Sequence, residues 1–289
     1  MVVEQLHSLT KIFPHHLIPH TILVNPDGQL IAQTNPGAIT SKVIDSLWRQ
    51  QPVHLPEKID NSLTLPEILK TYFNAADTVT SRFMMQAQIK GAPGFQMTHA
   101  NDPVFKNRRL TCFNLPLTTL YRIANGDFSY KRTIDKTGST NEPPVYCLDL
   151  IIASQEQLRP ALQRELASRF DMRTKVEPQS KEVNVLRITD REKFNQIPRN
   201  KSGKRTYSAS RGAIDQQATT MADFAEYLES YGPGKLIVVD ETQNRELLDI
   251  QFSYQPEDPK SLPAVLSEMG LSLTKEQQTV DMLVLYNSH

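Results

Sequence analysis

The sequence predicts an α+β fold, in which a segment with a hairpin and helices is followed by two small α+β units with mixed sheets. Three observations support this prediction. A turn sequence separates two short apolar runs near the N-terminus, apolar residues recur at helical spacing in later segments, and one order of helix and strands occurs twice. A chain of 289 residues is also long enough for about two domains of ~150 residues.

The first predicted element is a β-hairpin. Thr21–Val24 and Leu30–Ala32 are short apolar runs with strand-forming residues. Between them, Pro26 fixes φ, Asp27 supplies a polar turn residue and Gly28 tolerates a positive φ. These features predict two antiparallel strands joined by a tight turn.

Two helices should follow this hairpin. The first begins with Thr40 or Ser41 as N-cap, and its apolar residues at helical spacing are Val43, Ile44, Leu47 and Trp48. The prolines in 51–56 argue against either helix or central strand there. A second apolar stripe at 63–75 predicts a helix that could dock onto either neighbour.

The later part of the chain contains the same order of predicted elements twice. The helix and two strands of the first copy are 155–170, 172–176 and 183–188. Those of the second copy are 261–269, 271–274 and 280–285. We expect each pair of strands to form a hairpin, because turn-forming residues lie at equivalent places, 177–180 and 276–279.

Each copy also has a strand and helix upstream. These pairs are 109–113 with 117–124 and 213–218 with 221–228, where Thr219 or Thr220 can cap the second helix. The domain boundaries that follow are 1–56 for the hairpin segment, 57–82 for a linker helix, 83–198 for the first α+β unit and 199–289 for the second.

The run from Phe13 to Thr34, FPHHLIPHTILVNPDGQLIAQT, resembles the C-terminal half of a thioredoxin-like domain of the TlpA kind. The resemblance implies that Pro19 is the cis-proline that faces the active-site dithiol in that family, and that His20 flanks it. A Cys-x-x-Cys motif does not precede Pro19 in this sequence. The segment is therefore expected to be truncated, without the dithiol half.

A second resemblance covers most of the chain from about Phe83 onwards. The blocks RRLTCFNLPLTTLYRIA and TTMADFAEYLESYGPGKLIVVDET are similar to the soil-associated family, whose members are bacterial proteins without a settled activity. Some members are fused behind TlpA-like domains in envelope proteins, which is the order found here. The last strand, helix and hairpin also resemble the short N-terminal domain of secretins and TonB receptors, a small protein-binding module.

Charge and hydropathy limit the functional classes. Lys plus Arg equals Asp plus Glu, 32 each, so a general attraction to nucleic acid or an anionic membrane is not expected. No run approaches ~18 apolar residues, so no transmembrane helix is predicted. The first residues lack the pattern of a signal peptide. We therefore expect a cytoplasmic protein if the chain is complete, whereas the resemblance implies the periplasm or cell envelope.

Cysteine and histidine are the first candidates for chemistry. Cys112 and Cys147 lie 35 positions apart, too far for a Cys-x-x-Cys redox motif. We predict two separate, partly buried thiols, with a disulfide as the alternative. His15, His16 and His20 cluster without a cysteine or a well-spaced carboxylate. We predict no metal and no cofactor here.

Carboxylates and basic residues are the remaining candidates. Asp240, Glu241 and Asp249 could form an acid/base group, but carboxylates in such places more often satisfy turns. The sequence contains neither a P-loop nor a Gly-x-Ser-x-Gly elbow. Basic residues are expected to be solvated, with contact to an acidic partner as the alternative; they are Arg108, Arg109, Arg199, Lys201, Lys204, Arg205 and Arg211.

Three functional hypotheses follow from these patterns. The favoured one is a non-catalytic interaction module of the bacterial cell envelope, with a protein partner and self-association through the exposed edge of the hairpin segment. The second is the C-terminal portion of a TlpA-type thiol-disulfide oxidoreductase. The third is a hydrolase or metal enzyme in the C-terminal units.

Overall fold

The chain has an α+β fold, as predicted, with helices packed on open sheets, of which one four-stranded sheet is mixed and the others are antiparallel. The structure is a computed structural model that describes residues 8–13, 15, 17–60, 63–138, 143–153, 157–231 and 233–288. The chain forms two compact units: unit 1 is residues 1–126 with 139–171, and unit 2 is residues 127–138 with 172–289. This division does not coincide with the predicted boundary after residue 198, because a strand before that boundary belongs to the sheet of unit 2.

The described residues form the following helices and strands. The α-helices are α1 Ser8–Ile12, α2 Ser41–Trp48, α3 Leu65–Tyr72, α4 Leu117–Ala124, α5 Leu158–Ala167, α6 Arg191–Phe194, α7 Met221–Tyr231 and α8 Ser261–Glu268. The strands are β1 Thr21–Val24, β2 Leu30–Thr34, β3 Arg82–Ala87, β4 Phe95–Met97, β5 Arg109–Pro116, β6 Thr133–Asp135, β7 Val145–Ile151, β8 Met172–Ile188, β9 Thr206–Ser210, β10 Ala213–Thr219, β11 Ile237–Asp240, β12 Leu248–Ser253 and β13 Leu271–Asn287.

The N-terminal hairpin and helix form as predicted. β1 and β2 pair antiparallel, and the Gly28 amide donates to the Asn25 carbonyl at 3.0 Å to close the turn. The Thr40 hydroxyl accepts the Val43 amide at 3.4 Å and so caps α2. None of the side chains of α2 is buried, and Trp48 is 88% exposed.

The four-stranded sheet of unit 1 has the strand order β3-β7-β5-β4, with antiparallel pairs throughout. Helix α3 packs on one face of this sheet. The helix predicted at 63–75, which could have docked onto the segment before it or the one after it, therefore docks onto the α+β unit that follows it. Its Ile68 and the following Phe73 are buried with Phe113 of β5 and Cys147 of β7. In α5, Leu166 is fully buried, as the predicted apolar stripe requires.

Unit 2 contains two sheets. The three-stranded sheet has the order β12-β10-β9, and the four-stranded sheet has the mixed order β11-β8-β13-β6. Helices α7 and α8 contribute Phe224, Leu228 and Leu266 to a core shared with Ile250 of β12 and Leu186 of β8. Burial of these apolar side chains stabilises the unit.

The prediction of two hairpins, one in each copy, is wrong. β8 and β13 are each one continuous strand of 17 residues, and they pair antiparallel with each other from end to end. Met172 lies opposite Asn287, and Leu271 lies opposite Ile188. The predicted turns at 177–180 and 276–279 lie within this ladder. Each strand obtains its backbone hydrogen bonds from the other copy, so neither needs to turn back on itself.

The internal repeat is nevertheless present in the order and pairing of elements. The order β5-α4-β6-β7-α5-β8 recurs as β10-α7-β11-β12-α8-β13. β5 pairs with β7 as β10 pairs with β12, while β6 and β11 lie parallel to β13 and β8. Both copies have a residue with positive φ at an irregularity of the first strand, Asn114 at 46° and Ala218 at 51°. The Asn114 amide donates to Cys147 Sγ at 3.2 Å, and the Ala218 amide donates to Asp249 Oδ1 at 3.0 Å.

None of the helices formed by the described residues combines the length and the apolar character that crossing a membrane requires.

Candidate functional site

A groove lies in unit 2 between strand β9 and helix α7. Its volume is about 300 Å³, and the residues that line it are Arg205, Thr206, Tyr207, Gln216, Thr219, Asp223, Glu226, Tyr227, Ser230 and Tyr231. Tyr207 lies opposite Gln216 in the β9-β10 ladder, so both side chains project from the same face of the sheet. The lining residues of α7 recur at three- and four-residue spacing, which places them on one face of the helix.

A tight turn positions β9 beside β10. Arg211 and Gly212 connect the two strands with φ values of 51° and 81°, as the two central residues of a type I′ turn require. A Cβ atom on Gly212 would lie 2.1 Å from the Tyr254 carbonyl oxygen. Glycine is therefore needed here both for its backbone conformation and for the close approach of Tyr254.

A reciprocal cap starts α7 beside the groove. The Asp223 amide donates to the Thr220 hydroxyl at 3.1 Å, and the Thr220 amide donates to the Asp223 carboxylate at 3.1 Å. Thr220 is one of the two residues predicted to cap this helix, so that prediction is confirmed. The cap also holds the Asp223 carboxylate at the groove.

Charge in the groove is only partly balanced. Arg205 Nη2 lies 2.8 Å from Asp223 Oδ1. Burial raises the pKa of Asp223, but the hydrogen bonds from Thr220 and the charge of Arg205 outweigh it and hold that pKa below its usual range. Glu226 is exposed one helical turn further along, and no ion pair joins it to another of the described residues.

Three tyrosines form the aromatic part of the groove. The rings of Tyr227 and Tyr231 stack with centroids 4.7 Å apart. Burial raises the pKa of both Tyr207 and Tyr227, with further contributions from neighbouring tyrosine hydroxyls. Tyr207 and Tyr227 therefore stay neutral at physiological pH. Tyr207 is 61% exposed and Tyr231 is 53% exposed, so two rings are accessible to a ligand.

The outer edge of β9 borders this groove. Within the part of the chain that the structure describes, β9 pairs with β10 and with no strand on its other side. In an antiparallel strand, alternate residues direct their amide and carbonyl groups away from the partner strand. β9 thus offers backbone donors and acceptors at the side of a cavity.

The predicted site residues of the N-terminal segment lie in unit 1. The peptide bond between Ile18 and Pro19 is cis. Asp27 and Gly28 are exposed in the hairpin turn, and Gly28 has a φ of 79°. They contact no other candidate residue among the bonds and ion pairs of the described chain.

The histidine cluster is only partly described. The rings of His15 and His20 stack at 4.7 Å, whereas His16 lies outside the described residues. Lys58 Nζ lies 3.3 Å from His20 Nδ1, and burial together with this charge lowers the pKa of His20. Across the described ranges, no group of three or more His, Cys, Asp or Glu side chains is arranged to hold a metal ion.

Cys112 and Cys147 are fully buried in unit 1, and neither forms a disulfide with another described residue. Cys112 lies opposite Leu148, the residue after Cys147, so the two sulfur atoms project from opposite faces of the sheet. The cysteines are separate, as predicted, and a disulfide does not fit this geometry. The prediction that they are only partly buried is wrong, because both lie fully inside the packed sheet. Burial raises the pKa of Cys147, which disfavours its reactive thiolate.

The three candidate carboxylates of unit 2 each serve a different local structure. Asp240 Oδ1 accepts the Thr242 hydroxyl at 2.6 Å, and Glu241 pairs with Arg187 at 2.6 Å. Asp249 holds the Ala218 amide, as described above. These contacts indicate that the three carboxylates stabilise turns and strand pairing, and do not act together as an acid/base group.

A buried polar network in unit 1 was missed by sequence reasoning. Asp149 is fully buried and forms ion pairs with Arg82 and with Arg109, the latter at 2.8 Å. Thr111 donates to Asp149 at 2.7 Å, and His99 Nε2 lies 2.8 Å from the Thr111 hydroxyl. The prediction that Arg109 is solvated is wrong, because its charge is compensated inside the protein. The aspartate within the apolar run of β7 is the signal that could have revealed this network.

This network supports the fold. Arg109 also donates to the Phe73 carbonyl at 2.5 Å, which anchors the end of α3 on the sheet. In a nucleophilic triad the histidine lies between hydroxyl and carboxylate. Here the Thr111 hydroxyl lies between His99 and Asp149, and both Thr111 and Asp149 are inaccessible.

The comparisons with known proteins add one family. The family model described as "Protein of unknown function (DUF3738)" matches residues 124–287, which is more than half of the chain. The chain therefore belongs to this family, and the prediction of a domain of unknown function is confirmed. No curated protein matches the chain, and neither does any solved structure. The whole groove between β9 and α7 lies within the matched residues.

Proposed function

We propose that this protein is a non-catalytic interaction module of the bacterial cell envelope, and that it binds an extended segment of a partner protein beside β9. The observation that carries this proposal is the combination of an unpaired strand edge with a cavity lined by α7. The partner segment would add to the three-stranded sheet as a further strand. This is a recurring way for proteins to recognise peptides.

Strand addition uses both features of the groove. The incoming backbone would bond to the outward amides and carbonyls of β9, which supplies affinity without regard to sequence. Alternate side chains would point towards α7 and enter the cavity, which supplies selectivity. Tyr207 and Tyr231 offer large accessible rings at this position, and tyrosine is enriched among residues that dominate binding energy.

The envelope location and the thioredoxin-like origin of residues 1–56 belong to the same proposal. The cis-peptide before Pro19, the hairpin β1-β2 and the capped helix α2 occur in the order of the TlpA-like C-terminal half. The resemblance of the later residues to the soil-associated family also supports the envelope location, because some members of that family are fused behind TlpA-like domains in envelope proteins. Self-association through β1 and β2 is a further part of the proposal, since Val24 and Leu30 are exposed on this two-stranded sheet.

The proposed strand addition can be tested with a synthetic heptapeptide of alternating Thr and Val with Leu at its centre, acetylated and amidated. We would titrate it into the ¹⁵N-labelled full chain and follow amide chemical shifts. The expected shifts are confined to 205–210, 216–219 and 221–231, which contain the residues that line the groove. Binding confined to other residues, or no binding at millimolar concentration, would contradict the proposal.

A matched pair of tyrosine variants sharpens this test. Tyr231→Ala removes an exposed ring of the groove, and we expect it to weaken peptide binding at least about fivefold. Tyr130→Ala is the control, because Tyr130 is 69% exposed in unit 2 and does not line the groove. It should leave the affinity unchanged. Circular dichroism would establish that both variants are folded.

A further inference from the structure

We infer that the segment bound beside β9 places a lysine or arginine side chain in the groove. This inference rests on the proposed strand addition and names the ligand class that the groove would select. It follows from the position of one carboxylate and two aromatic rings at the same cavity.

The carboxylate is Glu226. Arg205 compensates Asp223 at 2.8 Å, whereas no described residue forms an ion pair with Glu226. A bound apolar side chain would remove water from Glu226 without giving it a partner, which costs free energy. An ammonium or guanidinium group would instead form a charge-assisted hydrogen bond with it.

The rings are those of Tyr207 and Tyr231, which are both more than half exposed and line the same cavity as Glu226. An ammonium or guanidinium group over the face of a tyrosine is attracted by the ring quadrupole. The methylene stem of lysine or arginine also packs on apolar ring surface while its charge stays at a polar group. The groove therefore matches both parts of such a side chain.

Charges at the two ends of β9 limit how basic the ligand can be. Lys201 and Lys204 precede this strand, Arg211 follows it, and all three are exposed. A segment with several positive charges would be repelled there, because like charges across an interface oppose binding. We therefore expect one basic residue at the cavity and neutral or acidic residues on either side.

The test compares three heptapeptides with alternating Thr and Val and with Lys, Leu or Glu at the central position. Their affinities for the full chain would be measured by NMR titration. We expect the Lys peptide to bind about tenfold more tightly than the Leu peptide, and the Glu peptide to bind most weakly.

Two glutamate variants identify the source of the preference. Glu226→Gln should reduce the preference for Lys over Leu to within about twofold. Glu268→Gln is the control, because Glu268 is also exposed on a helix of unit 2 but lies outside the groove. It should leave the preference at its wild-type value.

The outcomes separate the two proposals. Failure of all three peptides to bind would contradict strand addition itself, and the inference with it. Binding of the Leu or Glu peptide as tightly as the Lys peptide would overturn the inference alone. So would a full preference for Lys in Glu226→Gln.

Discussion

The guanidinium of Arg205 lies 2.8 Å from the carboxylate of Asp223, and this pair joins the residue before β9 to the first turn of α7. Arg205 is largely exposed, so the pair contributes at most about 1 kcal/mol to stability. Its main consequence is electrostatic. It neutralises one of the two carboxylates that line the groove and leaves Glu226 as the unbalanced one.

Removal of the Arg205 charge should therefore strengthen binding of a cationic ligand. In Arg205→Gln both Asp223 and Glu226 are unbalanced, and we expect the Lys heptapeptide to bind about threefold more tightly. Arg191→Gln is the control, because Arg191 is exposed on α6 outside the groove. NMR titration would measure both affinities. Weaker binding to Arg205→Gln would show that Arg205 itself contacts the ligand.

Asp149→Asn should destabilise the protein by about 3 to 5 kcal/mol. The substitution keeps the shape of the side chain but leaves the buried guanidinium of Arg109 without its counter-charge. Glu165→Gln is the contrast, because Glu165 forms a surface pair with Arg169 and should cost no more than about 0.5 kcal/mol. Urea unfolding followed by circular dichroism measures both. Equal costs would contradict the structural importance of the network.

His99 should make the protein less stable in mild acid. Burial and the charge of Arg109 lower the pKa of His99, against the smaller opposing effects of Asp149 and Asp102. The unfolded chain therefore binds a proton more readily, and the free energy of unfolding falls as pH drops through the ordinary histidine pKa.

The matched variant is His99→Gln, whose amide can still donate to Thr111. Between about pH 7.5 and about pH 5, the free energy of unfolding should fall more for the wild type than for this variant. Other titrating groups, His20 among them, contribute equally to both proteins. Identical pH profiles would show that His99 titrates alike in the folded and unfolded chain.

The two thiols should be inert in the folded protein. Cys112 and Cys147 are fully buried on opposite faces of one sheet, and burial raises the pKa of Cys147. A chromogenic disulfide reagent should therefore react with both cysteines only after denaturation. Insulin reduction should show no turnover. Turnover that disappears on Cys112→Ser or Cys147→Ser would restore the oxidoreductase hypothesis.

Local features of the sequence predicted helices α2 to α5, α7 and α8, but not the short helices α1 and α6. The pairing between distant strands was not accessible from the sequence. Caps such as Thr40 and Thr220 act within one helical turn, so their residues specify the helix starts directly. The turn-like residues in β8 and β13 favoured hairpins on local grounds. Their actual partners lie about a hundred residues away, and a strand pattern does not identify its partner.

The groove was missed for a related reason. Helix α7 was predicted, but β9 fell beside a segment assigned to an exposed loop. The Arg211–Gly212 turn between two short strand-like runs is the signal that could have predicted the β9-β10 hairpin. Even then, Tyr207 and Tyr231 line the same groove only because of how α7 packs across the sheet. The sequence pattern alone does not specify this packing.

Hydrogen exchange of the β9 backbone tests strand addition most directly. Amides of Thr206–Ser210 that face away from β10 should exchange rapidly in the free protein. With the Lys heptapeptide at saturation, their exchange should slow at least about tenfold, because the peptide backbone accepts their hydrogen bonds. Strand β11, at the edge of the other sheet, should be unaffected. Peptide binding without added protection of β9, or with protection of β11 instead, would contradict the account.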